Sequence, residues 1–187
     1  MERGFKSRCE QVSRRYRRSL GVGPEEPLPW RRLADALDVT LWRPSDVPGL
    51  DAQTVRQLAV TDPGSWSAVT VTLDARHVVV VNTAQDRRRI PNNVVHELAH
   101  IILGHSAARV DISEDGHLWL STYGREQEAE ADWLAAALLL PRDGLLARFA
   151  RRRDVAATAA HFRVSVELAR WRLHATGVVR QVNGHAR

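Results

Sequence analysis

The chain of 187 residues has only one cysteine, Cys9, and only one lysine, Lys6. A single cysteine cannot form an intramolecular disulfide, and it cannot supply a zinc module built from several thiolates. Such a chain suits a reducing compartment, so we expect a cytoplasmic protein. Hydrophobic residues make up 44% of the chain, which is enough for a sizeable core without covalent cross-links.

Long hydrophobic runs are also missing. The longest apolar run, residues 133–140, is far too short to span a bilayer. The first residues carry charge and contain no apolar segment of the kind found in signal peptides. We therefore expect neither a signal peptide nor a membrane partner.

Positive charge is abundant and is supplied almost entirely by arginine. The formal net charge is +5, and basic runs occur at residues 14–18, 87–89 and 151–153. Such runs can bind nucleic acid or an acidic partner, or they can be solvated helix faces and loops. Tyr16 is the one aromatic residue within these runs, and no repeated alternation of aromatic and basic residues accompanies them. We therefore favour the second interpretation and do not expect direct nucleic-acid binding.

The periodicity of the chain predicts an α+β fold. Apolar residues spaced three and four apart predict a docked helix over residues 5–20, and period-two alternation predicts a strand pair within residues 68–82. Residues 105–124 read as a polar loop. We expect a core at residues 1–144 and a helical subdomain packed on it at 145–187. Further helices are predicted over residues 30–37, 92–103, 125–140, 145–152, 154–162 and 165–173, with a strand over 39–42.

The motif His96-Glu97-Leu98-Ala99-His100 is the clearest chemical signal in the chain. On a helix, histidines four residues apart face the same side and can bind one Zn²⁺. The glutamate between them lies beside the metal, where it can accept a proton from water. We therefore predict His96 and His100 as zinc ligands and Glu97 as the catalytic base.

A hydrolytic zinc site needs a third protein ligand, and residues 126–132 contain four acids. Glu128 and Asp132 share one helical face, so we predict Glu128 as the ligand and Asp132 as the hydrogen-bond partner of a zinc-bound histidine. Glu126 and Glu130 lie about 200° around the helix from Glu128 and should point elsewhere. The alternative is that this cluster only complements the helix dipole.

Three stretches of the chain resemble the ImmA/IrrE-type metallopeptidases. Residues 128–141 read EAEADWLAAALLLP, which is similar to the family signature ExEAN-x-FAA-x-LLMP. Residues 89–105 place an arginine a few residues before HExxH, as in the family, and residues 164–173 resemble the family's closing VS-x-x-A-x-x-x-RL pattern. The likeness covers residues 30–177.

The chain departs from the family pattern mildly. Asp132 stands where asparagine is usual, Leu134 where phenylalanine is usual, and Asn92-Asn93 where a Phe-Thr pair is usual. The aspartate moves this chain toward the ExxxD pattern of thermolysin-like zinc peptidases.

The resemblance implies a fold, a reaction and a substrate. The fold would be a zincin-like core, with a small twisted sheet on two zinc-binding helices and a C-terminal tail that resembles a helix-turn-helix. The implied function is cleavage of a specific cytoplasmic partner, a helix-turn-helix repressor, by a zinc-dependent endopeptidase. We expect the protein to act as a monomer.

Two parts of the mechanism stay open at this stage. The oxyanion needs a hydrogen-bond donor, for which His105, His117, Tyr123 and Arg125 are candidates. The strands of residues 68–82 could align a substrate by strand addition.

Two other functions also remain. Residues 154–176 could form a DNA-binding helix-turn-helix, or the zinc site could dock a partner without turnover.

Overall fold

The protein has an α+β fold in which helices surround a small three-stranded sheet. The computed structural model describes residues 1–73, 76–105, 110–112, 118–120 and 123–184. No helix among these residues is both long and apolar enough to cross a membrane. The helices are α1 Phe5–Ser19, α2 Trp30–Ala36, α3 Ala52–Arg56, α4 Ile90–Leu103, α5 Arg125–Leu139, α6 Arg142–Arg152, α7 Val155–Phe162, α8 Val166–Ala175 and α9 Val178–Gly184.

The sheet has the strand order β1-β3-β2, where β1 is Val39–Trp42, β2 is Ala68–Leu73 and β3 is Arg76–Val81. β2 and β3 form the antiparallel pair that the alternating residues predict. β1 pairs with β3 in parallel. The central strand is therefore β3, and β2 is an edge strand.

The expected polar loop at residues 105–124 contains a second, two-stranded sheet. β4 (Val110–Ile112) pairs antiparallel with β5 (Leu118–Leu120). Both strands have only three residues, which is too short for alternation to be recognised in a sequence. The prediction of a loop without regular structure was wrong here.

Helices α4 and α5 pack against each other in the centre of the molecule. Leu98 and Ala99 of α4 and Leu134 and Leu138 of α5 have no exposed surface. The second half of α5 is buried on nearly every side, because α4 covers one of its faces and α1 covers another. From Trp133 to its end, every residue of α5 is buried. A helix enclosed in this way can hold side chains at fixed positions.

The N-terminal helix α1 is attached to α5 by buried hydrogen bonds. The Ser13 hydroxyl donates to the Ala137 carbonyl at 2.7 Å, and the Arg17 Nη1 donates to the Leu138 carbonyl at 2.7 Å. Burial lowers the pKa of Arg17 to about 10, against the opposing effect of Glu26. These bonds satisfy carbonyl groups at the end of α5 that no helical partner reaches.

The C-terminal helices are fixed by a buried arginine. Arg172 of α8 has no exposed surface. Its Nε donates to the Leu140 carbonyl at 3.3 Å, and its Nη2 forms an ion pair with Glu10 of α1. One side chain thus joins α8 to α1 and to the end of α5. The division of the chain at residue 145 remains a prediction.

We expect Gly144→Ala to destabilise the protein. A Cβ atom at this position of α6 would lie 1.9 Å from the Pro24 carbonyl oxygen, and backbone cannot move aside cheaply. Overpacking of this kind costs about 1–3 kcal/mol of the free energy of unfolding, which urea denaturation measures. Gly64→Ala is the control, because nothing lies within 4 Å of its Cβ position. Equal stabilities for the two variants would contradict this packing.

Candidate metal centre

Helix α4 places two imidazoles side by side. His96 and His100 are one helical turn apart, and their Nε2 atoms lie 3.1 Å from each other. Pro91 occupies the first turn of α4, where a missing N–H costs nothing, and Gly104 ends the helix with a left-handed φ of 68°. Both histidines thus lie in the regular part of the helix, on the face toward α5.

Glu128 of α5 completes a cluster of three ligand-type atoms. Its Oε2 lies 3.1 Å from His96 Nε2 and 3.9 Å from His100 Nε2. All three atoms lie within 4.8 Å of one another. In a tetrahedral zinc site with bonds near 2.0 Å, two ligand atoms are about 3.3 Å apart. This donor set and its spacing therefore fit a divalent metal ion such as zinc.

Asp132 fixes the orientation of the His96 imidazole by a contact with the ring nitrogen that does not face the cluster. Its Oδ1 lies 2.9 Å from Nδ1 of His96. A carboxylate only accepts hydrogen bonds, so Nδ1 must carry the proton and the lone pair of Nε2 is directed into the cluster. Burial acts to lower the pKa of His96, but Asp132, Glu97 and Glu128 together outweigh it, and the pKa is raised.

A longer chain of hydrogen bonds orients the second imidazole. Nδ1 of His105 lies 2.9 Å from Nδ1 of His100, and Nε2 of His105 lies 3.3 Å from Oε2 of Glu130. Because Glu130 accepts, His105 carries its proton on Nε2, and its Nδ1 accepts from His100. The lone pair of His100 Nε2 is then left free for the cluster. Burial, together with His96 and His105, lowers the pKa of His100 to about 3.

Glu97 is held beside this cluster by strand β2. The Thr70 hydroxyl donates to Glu97 Oε2 at 2.6 Å. Burial raises the pKa of Glu97 above its usual value, although the Thr70 hydrogen bonds oppose the effect. A carboxylate with a raised pKa accepts a proton more readily, which suits a general base.

The other candidate residues have different positions. Tyr123 stacks on the His100 ring with 3.6 Å between ring centroids, and His105 belongs to the hydrogen-bonded chain described above. Arg125 is an exposed residue at the start of α5. His117 lies outside the described residues. The structure therefore brings two of the four candidates to the site.

Reasoning from sequence missed three contacts. Glu130 does point away from the three-atom cluster, as helix geometry predicts, but its carboxylate reaches His105. Thr70 carried no signal beyond its place in an alternating strand, because its role depends on how β2 packs against α4. The pairing of Glu126 with the N-terminal amine was not expected either.

These features define a metallopeptidase-type site on an α+β fold. The chain belongs to the peptidase family M78, the IrrE N-terminal-like domain, which matches residues 54–174. The matched region contains β2, β3, α4, α5, the three residues of the cluster and Glu97. It leaves out α1, α2, β1 and α9. A comparison with curated proteins finds no significant match.

We expect loss of Glu130 to weaken metal binding. In Glu130→Ala, His105 loses its acceptor and no longer fixes the tautomer of His100, so zinc affinity should fall by about 10–100-fold. Asp132→Asn should have an effect of similar size or smaller. Competition with a chelator of known affinity measures the change, and circular dichroism checks that the helices remain.

Two further variants give the upper and lower limits of the expected effect on zinc affinity. Glu128→Ala removes a direct ligand and should lower the affinity more than either change above. Glu126→Gln, on the same helix but paired with the N-terminal amine, should leave it unchanged. If Glu130→Ala binds zinc as Glu126→Gln does, the hydrogen-bonded chain has no part in holding the metal.

Proposed function

We propose that this protein is a zinc-dependent endopeptidase with a zincin-like core. The observation that carries the proposal is the convergence of His96, His100 and Glu128 within 4.8 Å, with the buried carboxylate of Glu97 next to them on α4. Two imidazoles, a carboxylate ligand and a separate carboxylate base are the parts that metal-assisted peptide hydrolysis requires.

Each residue of the site has a separate role in the proposed hydrolysis. A bound zinc ion supplies Lewis acidity, which polarises the scissile carbonyl and acidifies water. Glu97 accepts the proton from the attacking water and later delivers it to the leaving amine nitrogen. Thr70 keeps the Glu97 carboxylate in place during both transfers. Asp132 and the His105–Glu130 pair hold the imidazoles in the tautomer that binds the metal.

Strand β2 is suited to align the substrate. It is an edge strand of the three-stranded sheet, and Thr70 near its centre contacts Glu97. An extended peptide that pairs with an edge strand gains main-chain hydrogen bonds. A substrate bound along β2 would therefore pass the catalytic base.

The proposed substrate is a helix-turn-helix repressor in the cytoplasm. The resemblance to the ImmA/IrrE-type peptidases supports it, and so does a physical argument. A peptidase that cut unfolded chains freely would damage its own cell, so selectivity requires binding outside the metal centre. A repressor segment that can open into an extended strand meets this requirement. We also propose, from the same resemblance, that α7 and α8 of this chain form a tail similar to a helix-turn-helix.

Glu97→Gln should abolish hydrolysis and retain zinc. An amide cannot act as a base, and loss of general-base catalysis lowers kcat by about 10²–10⁴-fold. Zinc content and the cleavage rate are measured on the same preparation, with Glu126→Gln as the control for loss of one negative charge. Full activity of Glu97→Gln would overturn the peptidase mechanism. No cleavage by the unmodified protein would favour docking without turnover.

The substrate prediction is tested with the helix-turn-helix repressor that we expect to be encoded next to this chain. We expect the zinc-loaded protein to cut it at one or two sites, which mass spectrometry identifies, and to leave casein and short peptides nearly intact. The Glu97→Gln protein is the control for contaminating peptidases. If casein is broadly digested while the repressor remains uncut, the proposal of a specific substrate is contradicted. The proposal of a zinc-dependent peptidase would still hold.

A further inference from the structure

Arginines from three separate segments surround one groove at the amino end of α4. Arg31 and Arg32 come from α2, Arg87 and Arg88 precede α4, and Arg163 lies in the turn between α7 and α8. The groove has a volume of about 960 Å³. We call it the arginine groove. Its base is apolar and already packed, since Leu28, Leu139 and Phe162 are buried.

The positive charge of this groove is not offset by acidic residues of its lining. None of its lining residues is acidic. Among the described residues, none of the five arginines forms an ion pair with a carboxylate. All five are exposed. Arginines collected around a groove repel one another, and an anionic occupant removes that repulsion.

Two backbone features add to the argument. Ile90 and Pro91, at the start of α4, line the groove, and no side chain caps this helix end, so its partial positive charge lies beside the groove. Arg163 has a left-handed φ of 60°, a conformation that glycine or asparagine adopts more easily. An arginine at this position therefore costs stability while it places a guanidinium at the groove.

The groove and the metal centre lie on the same helix. Ile90 precedes His96 by six residues, which is about 9 Å along a helix axis. An extended chain covers that distance in about three residues. A peptide that reaches from the groove to Glu97 therefore needs at least about three extended residues between the two sites.

We propose that the arginine groove binds an acidic segment of the protein substrate, close in sequence to the scissile bond. This inference rests on the proposed function. Guanidinium groups bind carboxylates through two parallel hydrogen bonds, so several arginines select glutamate-rich or aspartate-rich chain. The groove thereby supplies the binding outside the metal centre that a selective peptidase needs.

A polypeptide fits the groove better than a nucleic acid does. Single-stranded nucleic acids bind proteins through bases that stack on accessible aromatic rings. Here Arg31 covers the Trp30 ring at 3.9 Å, and Phe162 is buried. Duplex DNA is read by convex elements that enter its grooves, whereas this surface is concave.

The test is binding of a fluorescein-labelled hexaglutamate to the zinc-loaded full chain, measured by fluorescence anisotropy at low salt. Every protein carries Glu97→Gln, so no hydrolysis occurs. The groove variant combines Arg87→Gln with Arg163→Asn, since asparagine tolerates the left-handed backbone. We expect it to bind the peptide about tenfold more weakly. The control combines Arg18→Gln with Arg152→Gln, two exposed arginines outside the groove that lose the same charge, and should bind within about twofold of the parent.

Several outcomes would overturn the proposal. Equal weakening in both variants would mean that only net charge matters, and absence of binding would remove the site. Tighter binding of an oligothymidylate or a 20-base-pair duplex, lost in the groove variant, would make the groove a nucleic-acid surface. Because the measurement needs no cleavage, it is independent of the peptidase mechanism. A chain that binds the peptide in the groove but cuts nothing would refute only the proposed function.

Discussion

The packing of α4 against α5 is the contact on which the rest of the structure depends. Leu98 and Ala99 are buried against a helix whose last seven residues, from Trp133 to Leu139, are also buried. Well-packed helices cannot slide past each other by a fraction of a turn without opening voids. The distance between Glu128 Oε2 and His96 Nε2 is therefore set by hydrocarbon contacts beside the metal centre.

The acidic cluster at the start of α5 shows how this rigid contact distributes chemical roles. Glu126 pairs with the N-terminal amine, Glu128 faces the two histidines, and Glu130 and Asp132 each reach a different imidazole. The four side chains are spaced two residues apart, so they point alternately to opposite sides of the helix. His96 and His105 each donate a hydrogen bond to a carboxylate of this one helix, Asp132 and Glu130 respectively. Left unpaired, the largely buried side chains of His96, His105 and Glu130 would destabilise the fold.

The sequence predicts the parts of this site that depend on helical phase. The four-residue spacing of His96 and His100 and of Glu128 and Asp132 gives the correct faces, and Gly104 gives the correct helix end. What depends on tertiary packing could not be predicted. The parallel pairing of β1 with β3, the contact of Thr70 with Glu97 and the meeting of three arginine-bearing segments all join residues far apart in the chain. The short strands β4 and β5 were not predicted for a different reason, because three residues are too few to show an alternation of apolar and polar side chains.

The end of α5 has a consequence for the order in which the chain becomes active. Its terminal carbonyls accept hydrogen bonds from Ser13 and Arg17 on one side of the sequence and, at Leu140, from Arg172 on the other. During synthesis, the metal-binding helices leave the ribosome before Arg172 does. Until then a buried carbonyl lacks its partner, and α1 lacks the arginine that pairs with Glu10. A nascent chain thus contains all of its ligand residues before the fold that positions them is complete. Synthesis of the metal-binding motif and formation of the active structure are therefore separate events.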